Sequence, residues 1–240
     1  MARAVLSGPG SQQGQTPVRR SIWRSGYWLV LTLIGVSYAL CAAQVSPNPG
    51  PFVLLIQLLA VATTLWVAEV RASLRRVSWI VLAAAGAAVA TVLLLGTEGQ
   101  VLDVLLSGAS MTAYLVAPVS IIAHQARKSR VDGQTVLAAI SAYIMVGMFF
   151  TFVYNLIALV TAVPTFGEGH VDTLTSQLFF SFTTLTTTGY GNIVPVGAVV
   201  QSVAIAEAIA GQLFLVIAVA RVVSAWRPPE VDELPGNGID

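Results

Sequence analysis

The sequence predicts an all-α integral membrane protein with six transmembrane helices and a short re-entrant helix between the last two. Three observations carry this. First, 56% of the 240 residues are hydrophobic and only 10% are charged, with a mean hydropathy of +0.80; a soluble domain carries about 25% charged residues. Second, six stretches approach the ~20 apolar residues that a bilayer span requires. They run approximately over 27–45, 52–70, 77–96, 101–123, 135–163 and 197–225. Third, the basic residues alternate between the ends of these stretches in a way that fits one topology.

The 12 basic residues fall in four places. Arg3, Arg19, Arg20 and Arg24 precede span one. Arg71, Arg75 and Arg76 lie between spans two and three, and Arg127, Lys128 and Arg130 between spans four and five. Arg221 and Arg227 end span six. The intervening loops 46–51, 97–100 and 164–196 hold no Lys or Arg, and carry Glu98, Glu168 and Asp172 instead. Positive residues stay on the cytoplasmic side, so six spans with both termini cytoplasmic in the plasma membrane satisfy every basic position. The net charge of +1 hides this sidedness and gives no support for a nucleic-acid partner.

Residues 1–26 read as a cytoplasmic N-terminal tail, disordered over the Gly-, Ser-, Gln- and Pro-rich first twenty. The basic leader, the apolar run from Tyr27 and the small residues at Cys41-Ala42-Ala43 also have the form of a cleaved signal peptide; the length of the leader and of the run favours a retained span. Cys41 is the only cysteine, so no intrachain disulfide forms, and it reads as a small apolar side chain. Residues 27–130 supply spans one to four. Span four carries no Lys or Arg between Val101 and Ala123. Arg127, Lys128 and Arg130 at its end read as positive-inside anchors, with contact to anionic lipid as a second reading.

Residues 131–227 form the last unit. Span five starts near Gln134 and Pro164 ends it. Asp172-Thr173 is a helix start with a negative charge in a favourable place. The helix predicted over 173–186 is too short to cross a bilayer, and re-entrant backbone is tolerated only where it is buried in protein or lines water. It runs directly into Thr186-Thr187-Thr188-Gly189-Tyr190-Gly191-Asn192. Span six follows Pro195. Residues 228–240, with three prolines and four acids, read as a short acidic cytoplasmic tail.

The phrase SerPheThrThrLeuThrThrThrGlyTyrGlyAsnIle (181–193), set between an outer helix, a half-helix and an inner helix, resembles the pore module of tetrameric potassium channels. The resemblance covers about 90 residues; spans one to four resemble that superfamily only in number and position. It implies a pore helix and selectivity filter between the last two spans. K⁺ would be bound by backbone carbonyls of Thr187, Thr188, Gly189, Tyr190 and Gly191 and by the Thr187 hydroxyl, replacing its water shell. It also implies a homotetramer in membrane lipid, since one chain supplies one filter strand. Three positions depart from the pattern: Asn192 stands where Asp is usual, Thr188 where Val or Ile is common, and Thr183 where some members carry Glu. Filter support is expected from Thr183, Thr186, Asn192 and Glu207. Voltage-gated relatives carry an arginine ladder in span four; this chain does not.

Gly211, 20 residues beyond Gly191, reads either as an inner-helix hinge, which the resemblance suggests, or as a site of close helix packing. Gln212, Leu215 and Val219 share one helix face at i, i+3 and i+7 and are expected to line the cavity; a bond from Gln212 to a neighbouring helix is the alternative. Glu207 is the only acid inside span six. A lipid-facing acid there costs about 2.5–3.5 kcal/mol, so it is expected to face protein, as a brace or as a proton-sensitive gate. His124 and His170 lie at opposite sides without further ligands at metal spacing, so no divalent or transition metal and no cofactor is expected. No nucleophile set or phosphate loop marks an enzyme, and no soluble partner is identifiable. The rival functions are a non-selective cation channel and a multi-span transporter or scaffold with an incidental Gly-Tyr-Gly turn. Eleven arginines against one lysine, with abundant Ala and Val, resemble a GC-rich bacterial composition.

Overall fold

The computed structural model describes residues 18–43, 56–57, 59–64, 80, 83, 86–87, 90, 100–125, 133–161, 164–167, 169 and 172–225. Five helices are named within them: α1 (Val18–Ala42), α2 (Gln100–Gln125), α3 (Gly133–Val160), α4 (Leu174–Leu185) and α5 (Ala198–Ala225). The described residues of predicted spans two and three are helical; the remainder of those spans lies outside the described residues. So do residues 1–17 and 228–240, Arg71, Arg75, Arg76, Arg127, Lys128, Arg130, Glu98, Glu168 and His170.

Three helical stretches among the described residues are long and apolar enough to cross a membrane: Asp103–Gln125, Gly133–Val160 and Ala198–Arg221. Gly26–Ala42 is apolar but shorter. The molecule is therefore an α-helical membrane protein. One boundary differs from expectation. Residues 18–26, assigned above to the N-terminal tail with its first twenty residues disordered, are helical. No Gly or Pro interrupts the run from Val18 until Gly26.

Local signals mark the starts of α2 and α4. In α2, Asp103 lies in the first turn, where a negative charge meets the positive helix end. Pro118 sits inside that helix and removes one i→i−4 bond, which membrane helices tolerate when neighbours pack around them. Thr173 caps α4: it is extended (φ −93°, ψ 157°) and its side chain accepts from the Ser176 N–H at 3.1 Å. Asp172 does not cap; its Oδ2 accepts instead from the Thr165 N–H at 3.0 Å.

Helix α3 is the hub, packed against α1, α2, α4 and α5. Its fully buried residues include Ala138, Ala142, Met145, Met148 and Phe152. They meet Ala113, Tyr114, Ala117 and Ile121 of α2 and Val30 and Ile34 of α1. The alanines let the backbones approach closely, as membrane interfaces require. Tyr114 stacks on Phe152 with ring centroids 5.8 Å apart, and its hydroxyl pairs with Ser37 at 2.9 Å. A second cluster joins Tyr154 of α3, Phe180 of α4 and Phe166 of the α3–α4 loop to Val200 and Ala204 of α5. The three rings contact one another at 4.9 to 6.2 Å.

Candidate functional site

The loop from Thr186 to Gly197 joins the short helix α4 to α5. Its first residues fold back on α4. The N–H of Thr186 donates to Phe182 O at 3.1 Å and that of Thr187 to Thr184 O at 2.9 Å. The N–H groups of Thr188 and Gly189 converge on Thr183 O, at 2.8 and 3.1 Å. The Tyr143 hydroxyl, from α3, donates to Leu185 O at 3.1 Å. A helix leaves four C-terminal carbonyls open; here all four have donors.

The dihedrals of the loop alternate. Thr187 (φ 57°), Gly189 (φ 53°) and Gly191 (φ 76°) are left-handed, and the residues between them are not. Such an alternation gathers successive N–H groups on one side of the strand, which leaves the carbonyls to the other. Glycine takes this conformation without steric cost. Thr187 does not, since a β-branched residue at positive φ is a steric outlier.

Side chains hold the strand in this form. The Thr187 hydroxyl donates to Thr186 O at 2.7 Å and accepts from Gln212 Nε2 at 3.3 Å. The Thr186 hydroxyl bonds Phe182 O at 2.7 Å and lies 2.8 Å from the Thr188 hydroxyl. Tyr190 stacks on Phe179 of α4 with centroids 5.8 Å apart. The outer part is stitched to the α3–α4 loop by an antiparallel bridge between Phe166 and Pro195. There Gly167 N donates to Val194 O at 3.1 Å and Val196 N to Thr165 O at 3.0 Å.

Behind the loop, Glu207 of α5 is fully buried. Its Oε2 accepts from the Tyr154 hydroxyl of α3 at 2.7 Å. Its Oε1 lies 2.5 Å from the Ser181 hydroxyl of α4, which also reaches Gly147 O of α3 at 2.8 Å. One carboxyl thus joins three helices. One turn further on, Gly211 lies against the backbone of Leu185, so close that a Cβ there would collide with the Leu185 carbonyl. This contact accounts for a glycine at 211 without a hinge.

The other singled-out residues fall as follows. Gln212 is exposed on the single chain, but its amide reaches the loop rather than a neighbouring helix. Leu215 and Val219 are exposed on α5, as are Leu213, Val216 and Ile217 on its other sides. Asn192 is exposed. The Thr183 hydroxyl turns back to Phe180 O at 3.0 Å rather than towards Asn192. Among the described residues no group of His, Cys, Asp or Glu could hold a metal ion. Tyr143, Tyr154 and Ser181 were missed from sequence. Each is a hydroxyl in an apolar run, a signal that marks them as polar but does not say what they meet.

No curated protein and no solved structure is a significant match to the chain. Residues 139–227, from α3 through the loop to the end of α5, match a family model described as an ion channel. It is this match, over the segment that carries the loop, that supports an ion channel.

Proposed function

We propose that the chain is one quarter of a K⁺-selective channel, conducting passively through a fourfold carbonyl-lined filter. The observation that carries this reading is the backbone of 186–191. Its N–H groups from Thr186 to Gly189 are all spent on α4, and left-handed residues recur at every second position. On this reading the carbonyls of Thr187, Thr188, Gly189, Tyr190 and Gly191 face away from the helix, towards an axis shared by four chains. Rings of carbonyls of this kind replace an ion's hydration shell. One strand per chain cannot surround an ion, so the working unit is a homotetramer in the plasma membrane, with six spans per chain and both termini cytoplasmic. Thr183, Thr186, Asn192 and Glu207 flank and brace the strand. Gln212, Leu215 and Val219 line the water-filled cavity beneath it.

The mechanism needs no covalent step and no cofactor. Thr187 stands at the inner end and adds its hydroxyl oxygen. The dipole of α4 points its negative end at that region and favours a cation there. Because the four terminal carbonyls of α4 are already bonded, the helix contributes through its field and not as a ligand. The test is a reversal-potential measurement in liposomes of purified protein with opposed K⁺ and Na⁺ gradients. A reversal close to the K⁺ equilibrium value is expected; one near the Na⁺ value, or near zero, overturns selectivity and leaves a non-selective pore.

A further inference from the structure

Three polar contacts tie α4 to α3, and they fall at every fourth residue of α4. Gln177 Oε1 accepts from Asn155 Nδ2 at 2.9 Å. The Ser181 hydroxyl reaches Gly147 O at 2.8 Å, and Leu185 O accepts from the Tyr143 hydroxyl at 3.1 Å. Residues four apart share a helix face, so one side of α4 runs antiparallel to α3 with a polar contact at each turn. The contact at Leu185 adjoins the filter loop. The contact at Gln177 lies at the other end of α4, about 12 Å away at 1.5 Å per residue. Gln177 and Asn155 are fully buried, as is Ser107 of α2. The Ser107 hydroxyl donates to Asn155 Oδ1 at 3.0 Å. One line of side chains thus crosses from α2 through α3 to α4.

Packing does not explain a glutamine at 177. Its Nε2 is buried without a hydrogen-bond partner, and a buried donor in that state is costly. A leucine or methionine would fill similar space without that cost. What the amide supplies, and an apolar side chain does not, is direction: its bond to Asn155 holds at only one height of α4 along α3. Leu174 and Leu178 of the same helix sit in the main apolar core, where contacts are non-directional and tolerate sliding. Height matters because the filter loop hangs from the far end of α4. The N–H groups of Thr186 to Gly189 bond to the carbonyls of Phe182, Thr183 and Thr184. A helix displaced at its start carries those carbonyls, and the strand bonded to them, with it.

We propose that Asn155 and Gln177 are positioning residues for ion selectivity: with Ser107 they fix α4 along α3 and so set the spacing of the filter oxygens. This role rests on the reading of 186–191 as a K⁺ filter. It gives the arginine-free α2 a static task, as the anchor of a polar line that ends on α4.

The experiment is a reversal-potential measurement in liposomes of the purified full chain, under opposed K⁺ and Na⁺ gradients. Wild type is compared with the double variant Asn155→Leu/Gln177→Leu. Replacing both partners of a buried bond by apolar groups can be nearly neutral for stability, and the Ser107 hydroxyl keeps Phe152 O as an acceptor at 3.5 Å. Assembly and K⁺ current should therefore persist, while the K⁺/Na⁺ permeability ratio falls at least tenfold. Ser107→Ala should lower the ratio several-fold. Gln100→Leu removes the bond from Gln100 Nε2 to Leu159 O, which also joins α2 to α3 but does not reach α4; it should leave the ratio unchanged. The reversal potential reports conducting channels only, so a smaller yield of folded protein does not move it. Should the double variant fail to assemble, Gln177→Met, of similar length and without an acceptor oxygen, is measured in its place, with the same fall expected. With a selective wild type, an unaltered ratio in the apolar variant or in Ser107→Ala, or an equal fall in Gln100→Leu, overturns the proposal and leaves the filter reading standing. An unselective wild type overturns both.

Discussion

At residue scale, Gly189 and Glu207 make opposite demands. Gly189 is left-handed (φ 53°) with open space around its Cα, so it is required for its conformation and not for packing. A left-handed L-residue costs about 1–2 kcal/mol, and four copies would bear it together. Gly189→Ala is expected to leave assembly intact and abolish K⁺ flux in a liposome assay; full current through the variant refutes the assignment of this strand. Glu207 is required for its partners. Replacing it by Leu leaves the buried Tyr154 hydroxyl without an acceptor, at about 1–3 kcal/mol. Glu207→Leu should therefore lower the melting temperature clearly, whereas Glu207→Gln, which keeps an oxygen for Tyr154, should lower it by much less. Equal losses would mean that the hydroxyl contacts carry no stability.

At the scale of elements, the hold of α5 on α4 includes, beside the packing of Phe180 on Val200 and Ala204, two points one helical turn apart, Glu207 and Gly211. A methyl at 211 meets backbone and not a side chain that could swing aside, and such overpacking costs typically ~1–3 kcal/mol. Gly211→Ala should destabilise by about that amount in thermal unfolding. Gly108→Ala in α2, where a Cβ meets nothing within 4 Å, should be neutral or slightly stabilising. If both variants melt alike, the close approach is absent in the assembled protein.

The sequence made the long elements plain because their signal is length and apolarity. Predicted 135–163 became Gly133–Val160, predicted 173–186 became Leu174–Leu185, and predicted 197–225 became Ala198–Ala225. The glycines of 189 and 191 announced their own dihedrals. Thr187 announced nothing, because β-branched residues avoid the conformation that it adopts. The Tyr154–Glu207–Ser181 junction was illegible for another reason. Its members lie 53 and 26 residues from Glu207, and only the packing angles of three helices decide which polar tips meet.

For the whole molecule, α5 is the least covered of the three membrane-length helices among the described residues. Val199, Ile205, Ile209, Leu213, Val216 and Val223 are all more than half exposed on the single chain, on several sides of one helix. Lipid, a lined cavity and neighbouring copies would cover such a helix in the proposed tetramer. Mass measurement in detergent is therefore expected to give four chains, and a conducting single chain would refute it. Span four holds no Lys or Arg between Val101 and Ala123. Each charge moved through the field yields about 2.3 kcal/mol per 100 mV, and without such charges opening should depend weakly on voltage. A conductance–voltage curve in symmetric K⁺, free of divalents, should be shallow. An effective gating charge of several elementary units would place a sensor elsewhere in the chain.

The hydroxyl of Thr187 has one hydrogen and two lone pairs. The hydrogen is committed to Thr186 O, and one lone pair is committed to Gln212. A single lone pair is left, and its direction is fixed before any ion arrives. In the proposed assembly, an ion leaving the cavity would meet four such oxygens already turned outward. Nothing would need to rotate as its waters fall away, and preorganised dipoles of this kind act without a reorganisation cost at the moment of use. Gln212 would then set the lifetime of the innermost bound ion from a position that never touches it.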